Sequence, residues 1–254
     1  DLFCTEREMV GSQCCENPPG FSLSSGIGCV EDIGGLESYT TGSLSSKLGI
    51  LLVSDVFGFE APNLRKLAEK VAAAGYYVVV PYFLHGDPFT PGQSLMTWYM
   101  SHLAENAAEE ARPVMEALRS KGISAIGAAG ICWGAKVLVE LSKLDDLKAI
   151  VMLHPSLVTV DDIEEIKVPV SILGAESDHI SPPELVKEFE EVLSTKAEVD
   201  SFVKIFNGVR HGWTVRYNIK NEEAVKRAEE AHNDMLEWFF KHVRSSCVCR
   251  KSAL

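Results

Sequence analysis

The sequence predicts an α/β protein with a mainly parallel central sheet and helices on both faces. Three observations predict it. From residue 36 onward, short apolar runs of strand length alternate with segments whose apolar residues recur at helical spacing. The runs are continuously apolar, which is the pattern of parallel strands covered on both faces. A chain of 254 residues with 46% hydrophobic content can bury one substantial core.

Taken in order, residues 1–30 are rich in Gly, Ser, Pro and Cys and read as an irregular leader, and residues 31–243 read as the globular domain. Gly34-Gly35 marks a turn before a first strand at 36–41. Residues 49–54 form a buried strand, and 63–74 a helix with Leu64, Leu67, Val71 and Ala74 on one face. Another buried strand at 76–80 is stopped by Pro81. Residues 83–101 carry Gly86, Pro88 and Pro91 without clear period, and are expected to be an irregular excursion near the functional face. A helix at 104–120, a strand at 124–129 and a helix with Ala135, Val137, Leu138 and Leu141 in one stripe follow. Strands at 149–153, 168–173 and 202–206 are separated by a helix at 183–193, and an amphipathic helix at 222–242 ends the domain. Residues 244–254 are a tail, and no internal repeat is present.

A net charge of −12 argues against nucleic-acid or anionic-membrane partners. No apolar run approaches the ~20 residues that span a bilayer, and residues 1–8 do not read as a secretory signal. Of seven cysteines, Cys4, Cys14, Cys15, Cys247 and Cys249 lie in the terminal segments, a distribution unlike a disulfide framework and without zinc-ligand spacing. A reducing, cytoplasmic location is expected.

Gly130-Ile131-Cys132-Trp133-Gly134 places a cysteine at the turn from strand to helix, where α/β-hydrolases carry their nucleophile. The flanking glycines suit a turn that leaves no room for side chains two residues either side. Such a turn also aims the following N–H, that of Trp133, and a helix N-terminus at one spot. Alone, the pattern fits an inert buried cysteine equally well.

A cysteine nucleophile needs a base, and the base an orienting acid. Asp178 lies in the loop after the strand at 168–173, and His211, followed by Gly212, lies after the next strand. Cys132, Asp178 and His211 thus follow three strand ends in the order that α/β-hydrolases require. Asp55 follows the strand at 49–54, where it either caps a turn or influences the thiol, and the Val56 N–H is a candidate second oxyanion donor. His85 and His154 each follow a strand and are candidate pocket residues, although a structural role fits both.

Together, Ser54-Asp55-Val56-Phe57-Gly58, Gly130-Ile131-Cys132-Trp133-Gly134, Glu176-Ser177-Asp178 and His211-Gly212-Trp213 resemble the dienelactone hydrolase (carboxymethylenebutenolidase) family, most closely its plant branch. The resemblance runs from about residue 30 to 243 and implies an α/β-hydrolase fold. It also implies Cys132 as nucleophile, His211 as general base, Asp178 as its orienting partner, and the N–H groups of Val56 and Trp133 as oxyanion hole. In the bacterial enzymes a glutamate at the Asp55 position holds the resting thiol, and two arginines bind the substrate carboxylate. Here the acid is one methylene shorter, 81–86 contains no arginine, and Arg216 stands five residues past His211, offset from the second arginine site.

The expected function is hydrolysis of a carboxylic ester or lactone through a thioester, without metal or organic cofactor, on a small-molecule substrate, by a monomer or homodimer. Glycoside hydrolysis by Asp55 and Asp178 is the alternative suggested by the endo-β-glucanase label of plant-branch relatives. A catalytically silent, small-molecule-binding α/β-hydrolase is a further alternative.

Overall fold

The computed structural model describes Gln13 and residues 18–19, 26–144 and 147–245. The elements run β1 (Cys29–Ile33), β2 (Leu36–Thr41), β3 (Leu48–Val53), α1 (Pro62–Ala73), β4 (Tyr77–Pro81), α2 (Leu95–Ser101) and α3 (Ala104–Ser120). They continue with β5 (Ala125–Ile131), α4 (Trp133–Leu144), β6 (Ile150–Leu153), α5 (Val160–Glu165), β7 (Val170–Ser177), α6 (Pro183–Ser194), β8 (Ser201–Arg210) and α7 (Glu222–Phe239), which closes in a π-helical turn, Phe240–Arg244. The strands form one sheet of order β1-β2-β4-β3-β5-β6-β7-β8. The β1–β2 and β2–β4 pairs are antiparallel, and the other five are parallel.

Every residue of β3, β4, β5 and β6 is buried, so both faces of the central sheet are covered. The small residues of β5 permit close packing: a Cβ at Gly127 would stand 2.7 Å from the Val243 side chain in the terminal π turn. Parallel order also sets the site's address, because the carboxyl ends of β3, β5, β6, β7 and β8 all open onto the same edge.

The structure adds elements that the sequence pattern hides. Strand β1 starts inside the expected leader, and α2 lies inside the expected irregular excursion. Strand β1 buries only Ile33 and α2 only Trp98, so neither carries a readable apolar period. Helix α5 is six residues long, held by a capping box in which Thr159 and Asp162 exchange side-chain bonds with each other's N–H. Cys29 and Cys132 form no disulfide; Cys4, Cys14, Cys15, Cys247 and Cys249 lie outside the described residues. No helix among the described residues is long and apolar enough to cross a membrane.

Candidate active site

Cys132 stands between β5 and α4 with φ 55°, a left-handed backbone that costs a non-glycine residue about 1 kcal/mol or more. The glycines two residues either side make that turn possible. A Cβ on Gly130 would lie 2.3 Å from the Gly134 carbonyl oxygen, and one on Gly134 would lie 2.5 Å from the carbonyl oxygen of Val53. The end of β3 is therefore pressed against the first turn of α4. The Cys132 N–H donates to the Leu153 carbonyl, while its own carbonyl accepts from the N–H groups of Ala135 and Ser156, each at 3.0 Å. Its side chain is fully buried, with Sγ 3.3 Å from the Ser156 hydroxyl. Trp133 is anchored by an Nε1–H bond of 3.0 Å to the His102 carbonyl and by edge-on contact with Trp98, which ties α2 to the elbow.

The acid and base meet because of strand register. Parallel strands β7 and β8 pair Ser177 with Arg210 after a register shift, so the next residue on each is Asp178 and His211. Asp178 Oδ2 lies 2.8 Å from His211 Nδ1, and both side chains are fully buried. The other carboxylate oxygen accepts N–H bonds from Ile180 at 2.9 Å and Ser181 at 3.2 Å. Asp178 is thus a fixed acceptor that places the proton of a neutral imidazole on Nδ1 and leaves Nε2 as the basic nitrogen.

The remaining candidates divide. Asp55 Oδ1 accepts the Phe57 N–H at 3.0 Å, which is the turn-capping role, while Oδ2 lies 3.3 Å from Arg216 Nε in a buried ion pair. Arg216 is thereby brought into the site. Two successive turns do this: the Val215 and Arg216 N–H groups both return to the Gly212 carbonyl. Gly212 has φ 88°, and a Cβ there would strike the Arg216 guanidinium at 2.4 Å. Val56 is buried at the end of β3, its carbonyl accepting the Phe89 N–H at 2.8 Å.

His154 is fully buried beneath His211, ring centroids 4.7 Å apart, with Nε2 2.8 Å from the Thr214 hydroxyl. Burial, followed by the charges of His211 and Arg216, holds it well below the ordinary imidazole range, so it stays neutral. It packs on the base and does not line the cavity. His85 lies at the surface, Nε2 2.8 Å from a carboxylate oxygen of Glu110, and is also outside the cavity lining.

A cavity of about 940 Å³ opens beside His211 and Arg216, lined also by Asn63, Trp213, Tyr217 and Asn218. Cys132 does not line it. Three neighbours were not legible in the sequence: Ser156 on the thiol, Thr214 on His154, and Gln13, whose amide reaches the loop of Asp178. Ser156 had one available signal, its position just past the end of a strand. Among the described residues, no cluster of three His, Cys, Asp or Glu side chains could hold a metal ion.

Known proteins resemble this chain in sequence and in fold. A maize (Zea mays) endo-1,3;1,4-beta-D-glucanase is 44% identical over 194 residues, 74% of this chain and 64% of the maize protein's length. A carboxymethylenebutenolidase homolog of Xenopus tropicalis is 33% identical over 206 residues, covering 78% of this chain and 84% of that one. A crystal structure of a putative dienelactone hydrolase from Klebsiella pneumoniae superposes with a TM-score of 0.68 at 20% identity, over 82% of this chain and 93% of that one. The fold is the α/β-hydrolase fold. Residues 36–243 match the model of the dienelactone hydrolase family, so this chain belongs to that family of hydrolases.

Proposed function

We propose that the protein hydrolyses a carboxylic ester or lactone through a Cys132-His211-Asp178 triad and a thioester intermediate. The single observation that carries the reading is the pairing of a strained, glycine-flanked cysteine at a helix start with a buried Asp178–His211 hydrogen bond on the same sheet edge. His211 Nε2 takes the thiol proton as Sγ attacks the acyl carbon. The resulting oxyanion lies against the N–H groups of Val56 and Trp133. Collapse breaks the bond to the alcohol oxygen, which receives the proton from His211. A water molecule, deprotonated by His211, then attacks the thioester, and the departing sulfur regains a proton as the carboxylic acid leaves.

The thiol is enclosed at rest against Ser156, so productive binding must open a path from the cavity to Sγ. The cavity meets the site through His211 and Arg216, and Arg216, paired behind the wall with Asp55, is a charged group that a polar substrate would meet there. The natural setting proposed is a reducing, cytoplasm-like compartment that keeps Cys132 a thiol.

The test is a panel of aryl esters and lactones run on the wild type, Cys132→Ser and Cys132→Ala. Ester cleavage with trapping of an acyl group on Cys132 is expected in the wild type, and loss of turnover in Cys132→Ala. Full turnover by Cys132→Ala would overturn the reading. The maize relative's name supplies the competing glycosidase reading. Two free carboxyls would be needed for it, whereas Asp178 is bonded to His211 and Asp55 is paired with Arg216. Mixed-linkage glucan hydrolysis that survives alkylation of Cys132 would favour the glycosidase.

A further inference from the structure

The segment ahead of the family-matched residues reaches the site through Gln13. Gln13 is buried, and its partners lie more than 160 residues away. Its Nε2–H donates to the Ser177 carbonyl at 3.0 Å, and its Oε1 accepts the His179 N–H at 2.5 Å. The two peptide groups so held are those on either side of Asp178. The Gln13 carbonyl in turn accepts from Arg216 Nη1 at 3.5 Å, on the guanidinium that faces Asp55. Pro18 and Pro19, a few residues on, line the cavity that opens beside His211.

We propose that Gln13 is a positioning residue of the active site: its amide clamps the backbone around Asp178 and its carbonyl steadies Arg216. The inference rests on the triad reading above. Gln13 lies ahead of the family-matched residues 36–243, so the clamp reaches the matched domain from a segment that precedes it. An amide is suited to the task because it offers a donor and an acceptor in a plane, matching the carbonyl and N–H on either side of Asp178. A carboxylate offers no donor, and an alanine offers neither group.

The consequence is kinetic. With the amide removed, Asp178 keeps its bonds to Ile180, Ser181 and His211, but the loop loses the two backbone contacts that Gln13 supplies, and the His211 ring follows the carboxylate. A displacement of well under 1 Å is expected to cost about tenfold in kcat/KM, because misplacement by 1 Å costs about a hundredfold. The loss falls mainly on kcat, since the Gln13 amide holds the loop of the acid that orients the base and does not bind substrate.

The experiment compares the full chain as wild type, Gln13→Ala and Gln13→Glu. It measures kcat and KM across pH and the downfield proton resonance of the His211 Nδ1–H, identified by its loss in His211→Asn. Expected are a roughly tenfold fall in kcat/KM for Gln13→Ala with KM within about twofold, scaled from the same displacement argument, and a shifted or broadened resonance. Gln13→Glu should recover activity relative to wild type as pH falls, because a protonated carboxyl can again donate to Ser177. If Gln13→Ala does not fold, Gln13→Glu carries the same test through its pH-dependent ratio to wild type. Wild-type kinetics with an unchanged resonance overturns the proposal, as does a lowered Tm with kcat untouched. The triad reading fails separately, through activity retained in Cys132→Ala, and the resonance reports on Gln13 whether or not Cys132 is the nucleophile.

Discussion

Asp178→Asn is the substitution whose outcome the site geometry decides most sharply. In the wild type, one carboxylate oxygen takes two loop N–H groups at 2.9 and 3.2 Å, and the other takes the His211 Nδ1–H at 2.8 Å. An asparagine has a single acceptor for these three donors. If its oxygen stays with Ile180 and Ser181, its NH₂ faces His211, and two donors cannot face each other. The imidazole proton then moves to Nε2, which removes the lone pair that would accept the thiol proton. Flipping the amide rescues the tautomer only by orphaning the two loop N–H groups, at about 1–3 kcal/mol for each buried donor. The unflipped amide is therefore favoured, and kcat is expected to fall by about 10⁴, close to 5 kcal/mol of barrier. Steady-state hydrolysis of an aryl ester from pH 6 to 10 measures it. The deficit should shrink at alkaline pH, where thiolate forms without a base. Wild-type kcat in a folded Asp178→Asn protein would refute the reasoning, and so would a deficit independent of pH.

Gly134→Ala sets a Cβ 2.5 Å from a backbone oxygen that has nowhere to go, and should cost about 2–4 kcal/mol, read as a Tm drop of roughly 5–15 °C by calorimetry. Arg216→Met strips the guanidinium from buried Asp55 and should destabilise by about 3 kcal/mol in urea unfolding, with Asp55→Asn added to Arg216→Met recovering part of the loss. Ser156→Ala removes the hydroxyl beside the thiol, so alkylation of Cys132, followed by peptide mass mapping, should accelerate several-fold on the order of one weak hydrogen bond. His232 is lowered from 6.5 to about 4, chiefly by burial and then by Lys70, and it is fixed by its bond to the Thr214 carbonyl. Its folded-state value lies below its unfolded one, so the unfolded chain binds more protons between pH 6.5 and 4 and stability falls as pH drops through that window. The His232 share is about 3 kcal/mol by pH 4, and a His232→Gln protein should show a shallower decline in Tm over the same range.

What was legible in the sequence was whatever depends on neighbours in the chain. The elbow could be read because Gly130, Cys132 and Gly134 meet one local steric requirement, and the central strands because each is apolar throughout. Asp178 and His211 could be placed at strand ends, but their meeting depends on a register shift between β7 and β8 that no local pattern encodes. Ser156 reaches Cys132 because β6 lies beside β5, and Arg216 reaches Asp55 because two turns fold back onto Gly212. Gln13 was unreadable for the same reason: a polar residue in a Cys- and Pro-rich leader gains meaning only from the loop it touches.

These contacts explain why strain can persist at this edge. Among the described residues four non-glycine residues have positive φ, and three of them, Cys132, His154 and Leu157, belong to the elbow and the segment just past β6. Left-handed geometry at each costs on the order of 1–3 kcal/mol and survives only where the surroundings over-determine it. At Cys132 and His154 they do: the Cys132 N–H is taken by Leu153, the Ser156 N–H by the Cys132 carbonyl, and the His154 N–H by Leu173, so the ends of β5, β6 and β7 are laced together. One consequence links packing to chemistry. The same lacing that fixes the thiol's backbone also sets neutral His154 in a T-shaped contact with His211, so a positive charge forming on the base meets an uncharged ring already in place and not a second cation. Strain at the elbow and neutrality beneath the base are thus two results of a single backbone arrangement.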